Sequence, residues 1–101
     1  MLDNYYYNLI NGRPVPVSFE EWIFHSDEES WRVGLTDCGN NVTVSTVFLG
    51  LNHNWGDGEP LLYETMVFGG KLHDETERYT TVEQAREGHE RMVQRVKDSE
   101  I

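Results

Sequence analysis

The sequence predicts an α+β fold: an antiparallel sheet of about four strands, with a long C-terminal helix packed on one face and a short N-terminal helix. Residues 42–49 and 61–68 are rich in β-branched and aromatic side chains, which suit the pleated surface of a strand. The glycine-rich residues 52–60 separate these two runs and make them a central hairpin. From residue 82 onward, apolar residues recur at steps of three and four, the spacing of a helix that packs by one face.

The N-terminal residues predict a second, smaller hairpin. Residues 5–9 form a tyrosine-rich run, and the Asn11-Gly12 pair that follows is typical of a tight hairpin turn. Residues 13–17 would return as the partner strand, but two of them are prolines, which donate no backbone hydrogen bond. We therefore expect this return strand at a sheet edge or as an extended arm.

A short helix is predicted over residues 19–25. Ser18 and Glu21 have the spacing of a capping box, in which each side chain accepts a hydrogen bond from the other's backbone N–H. Trp22 and Ile23 then fall on the apolar side of the helix. We expect both in the core rather than in a binding site.

Residues 31–36 alternate between apolar and polar side chains, as expected of a strand with one face in solvent. We assign Trp31, Val33 and Leu35 to the buried face and Arg32 and Thr36 to the solvent face. A turn at residues 37–41 leads into the central hairpin, so the order of elements predicts an antiparallel meander.

Both faces of the central hairpin carry apolar residues. A homodimer would cover the second face, which we expect to include Val47, Leu49, Leu61 and Val67. Glu64 lies between apolar neighbours on its own face, so its carboxylate must be paired, hydrated or raised in pKa.

The C-terminal helix is predicted to begin near Val82, with Thr80 and Glu83 as its capping box. A brief extended piece over residues 78–80 precedes it. The apolar stripe of the C-terminal helix consists of Val82, Ala85, His89, Met92, Val93 and Val96. Because Gly88 lowers helix stability by about 1 kcal/mol relative to alanine, we expect it to permit a close backbone approach.

Composition restricts the classes of partner. The 101 residues make one domain, residues 1–101. With 18 acidic against 8 basic residues, the formal net charge is −10, which disfavours binding to nucleic acid. Cys38 is the single cysteine, which excludes an intramolecular disulfide and fits a reducing cytoplasm. No apolar run approaches the roughly 18 residues of a membrane span and no signal peptide is recognisable, so we expect no membrane partner.

The loop of the central hairpin is the candidate binding site. His53 can exchange protons near neutral pH, Trp55 can stack on a ring, and Asp57 and Glu59 add two carboxylates. Glu64 lies beside the loop in the hairpin and completes the set. The alternative interpretation is an ordinary hairpin loop whose tryptophan folds back on the sheet.

The spacing of the histidines does not indicate a metal site. The four histidines lack the short local spacings of zinc ligands, and the acidic residues lack the spacing of a calcium-binding EF-hand. No nucleophile, phosphate-loop or dinucleotide motif is present, so we expect no cofactor and no catalytic residue. His89, on the apolar stripe, is expected to be a hydrogen-bonded core histidine.

Three stretches of the chain carry a family resemblance: YYYNLINGRPVPVSFEEW, VSTVFLGLNHNWGDGEPLLYETMVFGG and ERYTTVEQAREGHERMV. They resemble a family of small proteins common in tailed-phage genomes, for which no mechanism is assigned. The resemblance implies a phage accessory protein in the host cytoplasm, and it transfers no catalytic residue. It also places the candidate loop, His53 to Pro60 with Glu64 beside it, where the family signature is densest.

Three functional hypotheses stay open from the sequence. Small size, acidity and the lack of a catalytic motif favour a binding protein that blocks a host protein or sequesters a small ligand. The alternatives are a small enzyme using His53 and Glu64, and a virion or assembly component without a site.

Overall fold

The computed structural model of the chain describes residues 5–25, 31–54 and 58–99. In chain order the elements are β1 (Tyr6–Ile10), β2 (Arg13–Val17), α1 (Phe19–His25), β3 (Arg32–Asp37), β4 (Thr43–Phe48), β5 (Tyr63–Phe68), β6 (Thr76–Tyr79) and α2 (Val82–Ser99). One antiparallel sheet has the strand order β3-β4-β5-β6, and β1 pairs with β2 in a separate hairpin. Helix α2 lies on one face of the four-stranded sheet. The predicted α+β class, with its long C-terminal helix and short N-terminal helix, is confirmed.

The apolar stripe of α2 closes the core against the two central strands. The buried residues of α2 are Ala85, Gly88, His89, Met92, Val93 and Val96. Met92 and Val96 pack with Val44 of β4 and Val67 of β5, and all four are at most 1% exposed. Burying an apolar side chain of this size contributes roughly 1.5–3 kcal/mol. The predicted stripe is confirmed from Ala85 onward, whereas Val82 at its start is half-buried.

Two glycines let α2 approach the sheet closely. A side chain at Gly88 would overlap the phenol ring of Tyr79, which is itself buried and bonded through its hydroxyl. Nearer the other edge of the sheet, a Cβ on Gly34 would lie 3.1 Å from the His89 imidazole. The close approach that the sequence predicts at Gly88 is therefore confirmed.

A β-bulge in β3 changes which side chains face the core. The register with β4 shifts between Arg32 and Gly34, so one extra residue enters the strand. After the bulge, Leu35 turns to solvent and is 52% exposed, whereas Thr36 turns under α2. The predicted alternation, with Leu35 buried and Thr36 in solvent, is wrong beyond Val33 for this reason.

The β1–β2 hairpin joins the end of the sheet through backbone hydrogen bonds. The Tyr7 N–H donates to the Gly50 carbonyl at 2.8 Å, and the Asn52 N–H donates to the Tyr5 carbonyl at 2.9 Å. Gly50 has a φ of 73°, and a side chain there would collide with Trp22 and with the Tyr7 backbone. The hairpin therefore docks where the chain leaves β4.

Helix α1 packs on β1 through aromatic rings. The ring centroids of Tyr6 and Trp22 are 5.4 Å apart, and Trp22 is half-buried against the core. The predicted capping box is confirmed, because the Glu21 N–H lies 3.1 Å from Ser18 Oγ and the Ser18 N–H lies 3.2 Å from Glu21 Oε1. Ile23 is 48% exposed, so its predicted place in the core is wrong.

The start of α2 is capped one residue later than predicted. Thr81 Oγ1 accepts the Gln84 N–H at 3.1 Å, and Gln84 Oε1 accepts the Thr81 N–H at 3.4 Å and the Thr80 N–H at 3.0 Å. The capping pair is thus Thr81 and Gln84 rather than Thr80 and Glu83. Strand β6 also begins earlier than the predicted extended piece, at Thr76.

The second face of the sheet differs from the predicted set. Val67 is fully buried beneath α2, whereas Met66 and Phe68, its neighbours in β5, point to the opposite face. Val47 does lie on that opposite face, because it pairs in register with Glu64 rather than packing against α2.

We expect Gly88→Ala to destabilise the protein by about 2 kcal/mol, although alanine is the better helix former. The helix gains about 1 kcal/mol, but forcing a methyl group into the Tyr79 contact costs about 3 kcal/mol, the upper part of the usual range. Chemical denaturation measures the difference. Glu87→Ala, an exposed neighbour on the same helix, should change the free energy of unfolding by less than about 0.5 kcal/mol. Equal stability of Gly88→Ala and wild type would contradict the tight contact.

Candidate functional site

The structure brings two of the predicted site residues together at the base of the hairpin loop. His53 lies where the loop begins, and the charge of Glu64 in β5 acts on its ring. Glu59 lies on the far side of the loop and is exposed. Trp55 and Asp57 fall outside the described residues.

Glu64 is paired with an arginine of the neighbouring strand. Arg78 of β6 stands opposite Glu64 in register, and its Nε donates to Glu64 Oε2 at 3.0 Å. The Glu64 side chain is only 14% exposed, and a carboxylate that is largely buried needs a partner. Arg78 is that partner, as the apolar neighbours of Glu64 in the sequence require. Burial lowers the pKa of His53, the charge of Arg78 lowers it further, and Glu64 partly opposes them. His53 is therefore a neutral ring at pH 7, next to a carboxylate that already has a partner.

Asn52 holds the two sides of the loop together. Its Oδ1 accepts the Asn54 N–H at 2.8 Å and the Leu61 N–H at 3.2 Å. The Asn54 side chain donates to the Glu59 carbonyl at 2.9 Å. These side-chain bonds to backbone are the usual means by which asparagine orders a turn. They place His53 at a defined position, although sequence analysis assigned Asn52 no role.

A chain of polar side chains crosses the buried layer between α2 and the sheet. It joins, in order, Thr36, His89, Thr46, Thr65, Tyr79 and Glu77. His89 Nε2 lies 2.8 Å from Thr36 Oγ1, and His89 Nδ1 lies 2.7 Å from Thr46 Oγ1. The Thr46 hydroxyl is in short contact with that of Thr65. As predicted, His89 is a core histidine with both ring nitrogens bonded.

The Glu77 end of this chain determines which group donates each of its hydrogen bonds. Glu77 lies 3.5 Å from Arg91 and 3.8 Å from Arg95, and a carboxylate in such pairs only accepts hydrogen bonds. Tyr79 Oη lies 2.9 Å from Glu77 and 3.1 Å from Thr65, but the phenol has one proton. That proton goes to Glu77, and Thr65 donates to the phenol. Burial raises the pKa of Tyr79 to about 12, with the Thr65 bond lowering it and the Glu77 bond raising it.

The same logic fixes the tautomer of His89. The Thr65 proton is used toward the phenol, so Thr65 accepts from Thr46, and Thr46 in turn accepts from His89 Nδ1. The Thr36 hydroxyl then donates to His89 Nε2. Neutral His89 therefore carries its proton on Nδ1. Burial lowers the pKa of His89, with the charge of Glu90 opposing it, which keeps the ring neutral.

A groove runs between the outer edge of β3 and helix α2. It has two adjoining parts, of about 210 Å³ and about 230 Å³. The first is lined mainly by Leu9, Trp31, Tyr63 and Val82, with Arg32 and Arg86. The second is lined by Val33, Gly34, Leu35, Thr36, His89 and Glu90, with Arg86 again. Arg86 therefore stands where the two parts meet.

One arginine of this groove, Arg86, carries an uncompensated charge. Arg86 has no ion-pair partner among the described residues, whereas Arg78 and Arg91 each have one and Arg95 has two. Acidic side chains are abundant in a chain of net charge −10, so an unpaired Arg86 guanidinium group in this groove favours an anionic ligand. The sequence pattern places Arg32 and Arg86 on solvent faces of β3 and α2, and it gives no sign of the groove, which exists only once α2 lies beside β3.

The groove is bordered by the unpaired backbone of an edge strand. The Cys38 N–H donates to the Val42 carbonyl, so alternation along an antiparallel ladder makes Thr36 and Gly34 the next residues bonded to β4. The N–H and C=O groups of Leu35 and Asp37 then point away from β4. An edge of this kind is a template for an added strand.

Sequence patterns missed most of this arrangement, although one signal was present. Thr46 and Thr65 lie in mid-strand on faces that are otherwise apolar, and both are fully buried. A hydroxyl at such a position needs a partner. The hydroxyls of Thr46 and Thr65 therefore predict a buried polar partner on the element that covers them, and His89 is the polar residue in the apolar stripe of α2.

Within the three described ranges, no group of three or more His, Cys, Asp or Glu residues is placed to hold a metal ion. Among the same residues, no helix combines the length and apolarity needed to cross a membrane. Comparison of the chain with protein-family models, with curated proteins and with solved structures produced no match. What the site can do therefore follows from its geometry.

We expect the stability of the protein to fall as pH drops below about 6.5, partly through His89. Because burial lowers the pKa of His89, the folded state binds fewer protons than the unfolded state, whose histidine titrates near 6.5. The stabilisation is complete above that pH and is lost as pH falls toward the lower folded-state pKa. Denaturation of wild type and His89→Gln between about pH 7.5 and pH 5 measures this. Parallel pH curves for the two proteins would contradict the assignment, and His53→Gln separates the contribution of the second depressed histidine.

Nitrogen NMR of the imidazole rings tests the direction of the hydrogen-bond chain. At pH 7.5 we expect His89 to show a protonated Nδ1 and an unprotonated Nε2, the less common tautomer of a free histidine. In Tyr79→Phe the phenol is gone, and Thr65 loses an acceptor. The tautomer preference should weaken in that variant. A protonated Nε2 in the wild type would reverse the chain and refute the role given to Glu77.

Proposed function

We propose that the chain is a non-catalytic binding protein that takes an extended, acidic segment of a partner protein along the outer edge of β3. The observation that carries this proposal is the open backbone edge at Leu35 and Asp37 beside a groove that holds Arg86. A strand added to such an edge gains affinity from main-chain hydrogen bonds and specificity from side-chain contacts.

The residues that line the groove determine which side chains the captured segment of the partner must carry. Side chains of an added strand alternate, so every second one would enter the space between β3 and α2. Gly34 contributes no side chain to that space, and Arg86 borders its full length. An acidic side chain of the partner would pair with Arg86, and a hydrogen bond to a charged group contributes about 1.5–3 kcal/mol. Glu90 on the same wall would disfavour acidic residues further along the segment.

The resemblance to the tailed-phage family suggests the setting of this binding. The partner we propose is a host protein in the cytoplasm of an infected bacterium, whose free segment is blocked by capture on β3. The strongly acidic surface, of net charge −10, supports a partner that is basic elsewhere and acidic in the captured segment.

A second candidate function is the sequestration of a small anion. The part of the groove with Arg86 and Tyr63 measures about 210 Å³. That is below the roughly 300–1,000 Å³ of sites for drug-sized ligands, so only a compact carboxylate or phosphate would fit. The charge of Arg86 acts on the Tyr63 hydroxyl and lowers a pKa that burial and Glu83 raise.

The enzyme hypothesis with His53 and Glu64 gains no support from the geometry. Glu64 is bonded to Arg78, so it is not a free acceptor beside the ring. Burial and the charge of Arg78 both lower the pKa of His53, so they disfavour the protonated ring that a general base must form. We retain His53 and Glu59 as proposed contact residues for a partner. They lie in a loop whose backbone is held by hydrogen bonds to the Asn52 side chain.

Selection from a displayed library of random heptapeptides tests the proposal, because it requires no identified partner. We expect peptides rich in β-branched residues with an acidic residue at one fixed position. With Arg86→Glu as bait, the preference at that position should change from acidic to basic. Arg91→Glu, the same charge change on the opposite flank of α2, should select the wild-type peptides. Selection that is identical for the two variants would contradict the role of Arg86.

Amide hydrogen exchange provides the second readout. In the free protein, the amides of Leu35 and Asp37 should exchange faster than those of Gly34 and Thr36, and a bound peptide should slow them. Binding that protects only Arg86 and its neighbours would favour the small-anion alternative, and inorganic phosphate then becomes the probe.

A further inference from the structure

We infer that the uncovered face of the β3–β6 sheet is a self-association surface that joins two copies of this chain face to face. Helix α2 covers the other face, and no described element packs on this one. Leu35 is 52% exposed and Phe68 is 47% exposed, and Val47 and Met66 are half-buried on the same face. Apolar residues grouped on a sheet face usually mark a contact surface. The inference is independent of the proposed binding along the β3 edge.

The strand register arranges this face in three rows. The first row holds Asp37, Thr43 and Phe68. The middle row holds Leu35, Ser45, Met66 and Thr76. The third row holds Arg32, Val47, Glu64 and Arg78. The first row therefore carries one negative charge, and the third carries two positive charges and one negative charge.

This charge distribution is complementary to itself in one orientation. A two-fold axis between the sheets, perpendicular to the strands, places β3 over β3 with the strand directions reversed. The first row of each copy then meets the third row of the other, and Asp37 lies opposite Arg32 in both halves of the interface. At the centre, Leu35 and Met66 each meet their own counterparts, as an isologous interface requires.

The other face-to-face orientation is disfavoured by charge. A two-fold axis parallel to the strands would place β3 over β6, with the third rows of both copies in contact. Arg32 would then face Arg78 of the second copy, and like charges across an interface oppose association. The charges on this face thus select one arrangement of a second copy.

The size of the face sets the strength of the contact. Strands β3, β4 and β5 have six residues each and β6 has four, so at about 3.3 Å per residue and about 4.8 Å between strands the flat area is roughly 350 Å² per copy. Stable interfaces bury about 800 Å² per partner, so this dimer should dissociate on dilution. The outer edge of β3 stays free in the stack, because the two sheets meet by their faces.

Sedimentation velocity of the full chain between about 10 μM and about 1 mM tests the surface. We expect wild type to shift from monomer toward dimer over this range. Arg32→Asp and Asp37→Arg should each be monomeric at the highest concentration, because each faces like charges in its own dimer. An equimolar mixture of the two variants should recover a dimer, since both contacts are then of opposite charge.

Met66→Lys separates face stacking from pairing along the β3 edge. It places a charge at the centre of the face, far from the edge, so it should abolish the dimer while leaving the melting temperature of the monomer nearly unchanged. A wild type that stays monomeric overturns the inference. A mixture without a dimer, or a dimer that survives Met66→Lys, overturns it equally.

Discussion

The close packing of α2 on the sheet depends on two glycines that each face an aromatic ring. Gly34 lets the imidazole of His89 lie on β3, and Gly88 lets the phenol of Tyr79 lie against the helix. With larger residues at either position the helix would stand further from the sheet. The apolar stripe would then lose part of its contact, and dispersion contacts weaken steeply over a gap of less than an ångström. Close packing and polar pairing are therefore coupled in this layer.

The position of α2 also determines what the protein offers to a ligand. The groove beside β3 is the space left between the edge strand and the flank of the helix, and Arg86 reaches it because α2 runs along β3. The attraction of Arg86 for an acidic group is local. The net charge of −10 repels the same group at longer range, and salt screens this repulsion because the Debye length is only about 8 Å at physiological ionic strength. Moderate salt would therefore assist the approach of an acidic segment more than it weakens the final contact.

The two sides of the sheet have different chemistry for a physical reason. The side under α2 tolerates polar residues only as a closed hydrogen-bond chain, because each unpaired buried group would cost about 1–3 kcal/mol. The opposite side carries Glu64 and Arg78 as a pair near water, together with apolar residues that no described element covers. Among the described residues, one sheet with one helix on it leaves the outer edge of β3 and one face of the sheet uncovered.

Local patterns in the sequence determined the elements and much of the core. Alternation in the strands, the apolar stripe of α2 and the capping box at Ser18 and Glu21 depend on neighbours a few residues apart, so they were predictable. The proximity of His53 and Glu64 followed from a hairpin between adjacent strands. Trp55 and Asp57 of the same predicted site lie outside the described residues.

Only the tertiary structure decided the bulge after Arg32, the partner of Glu64 and the course of the buried polar chain. The bulge moved Leu35 to solvent and Thr36 under the helix, against the simple alternation. The contact between Thr36 and His89 joins residues 53 positions apart. Such contacts depend on the register of non-neighbouring elements, and local spacing carries no information about that register.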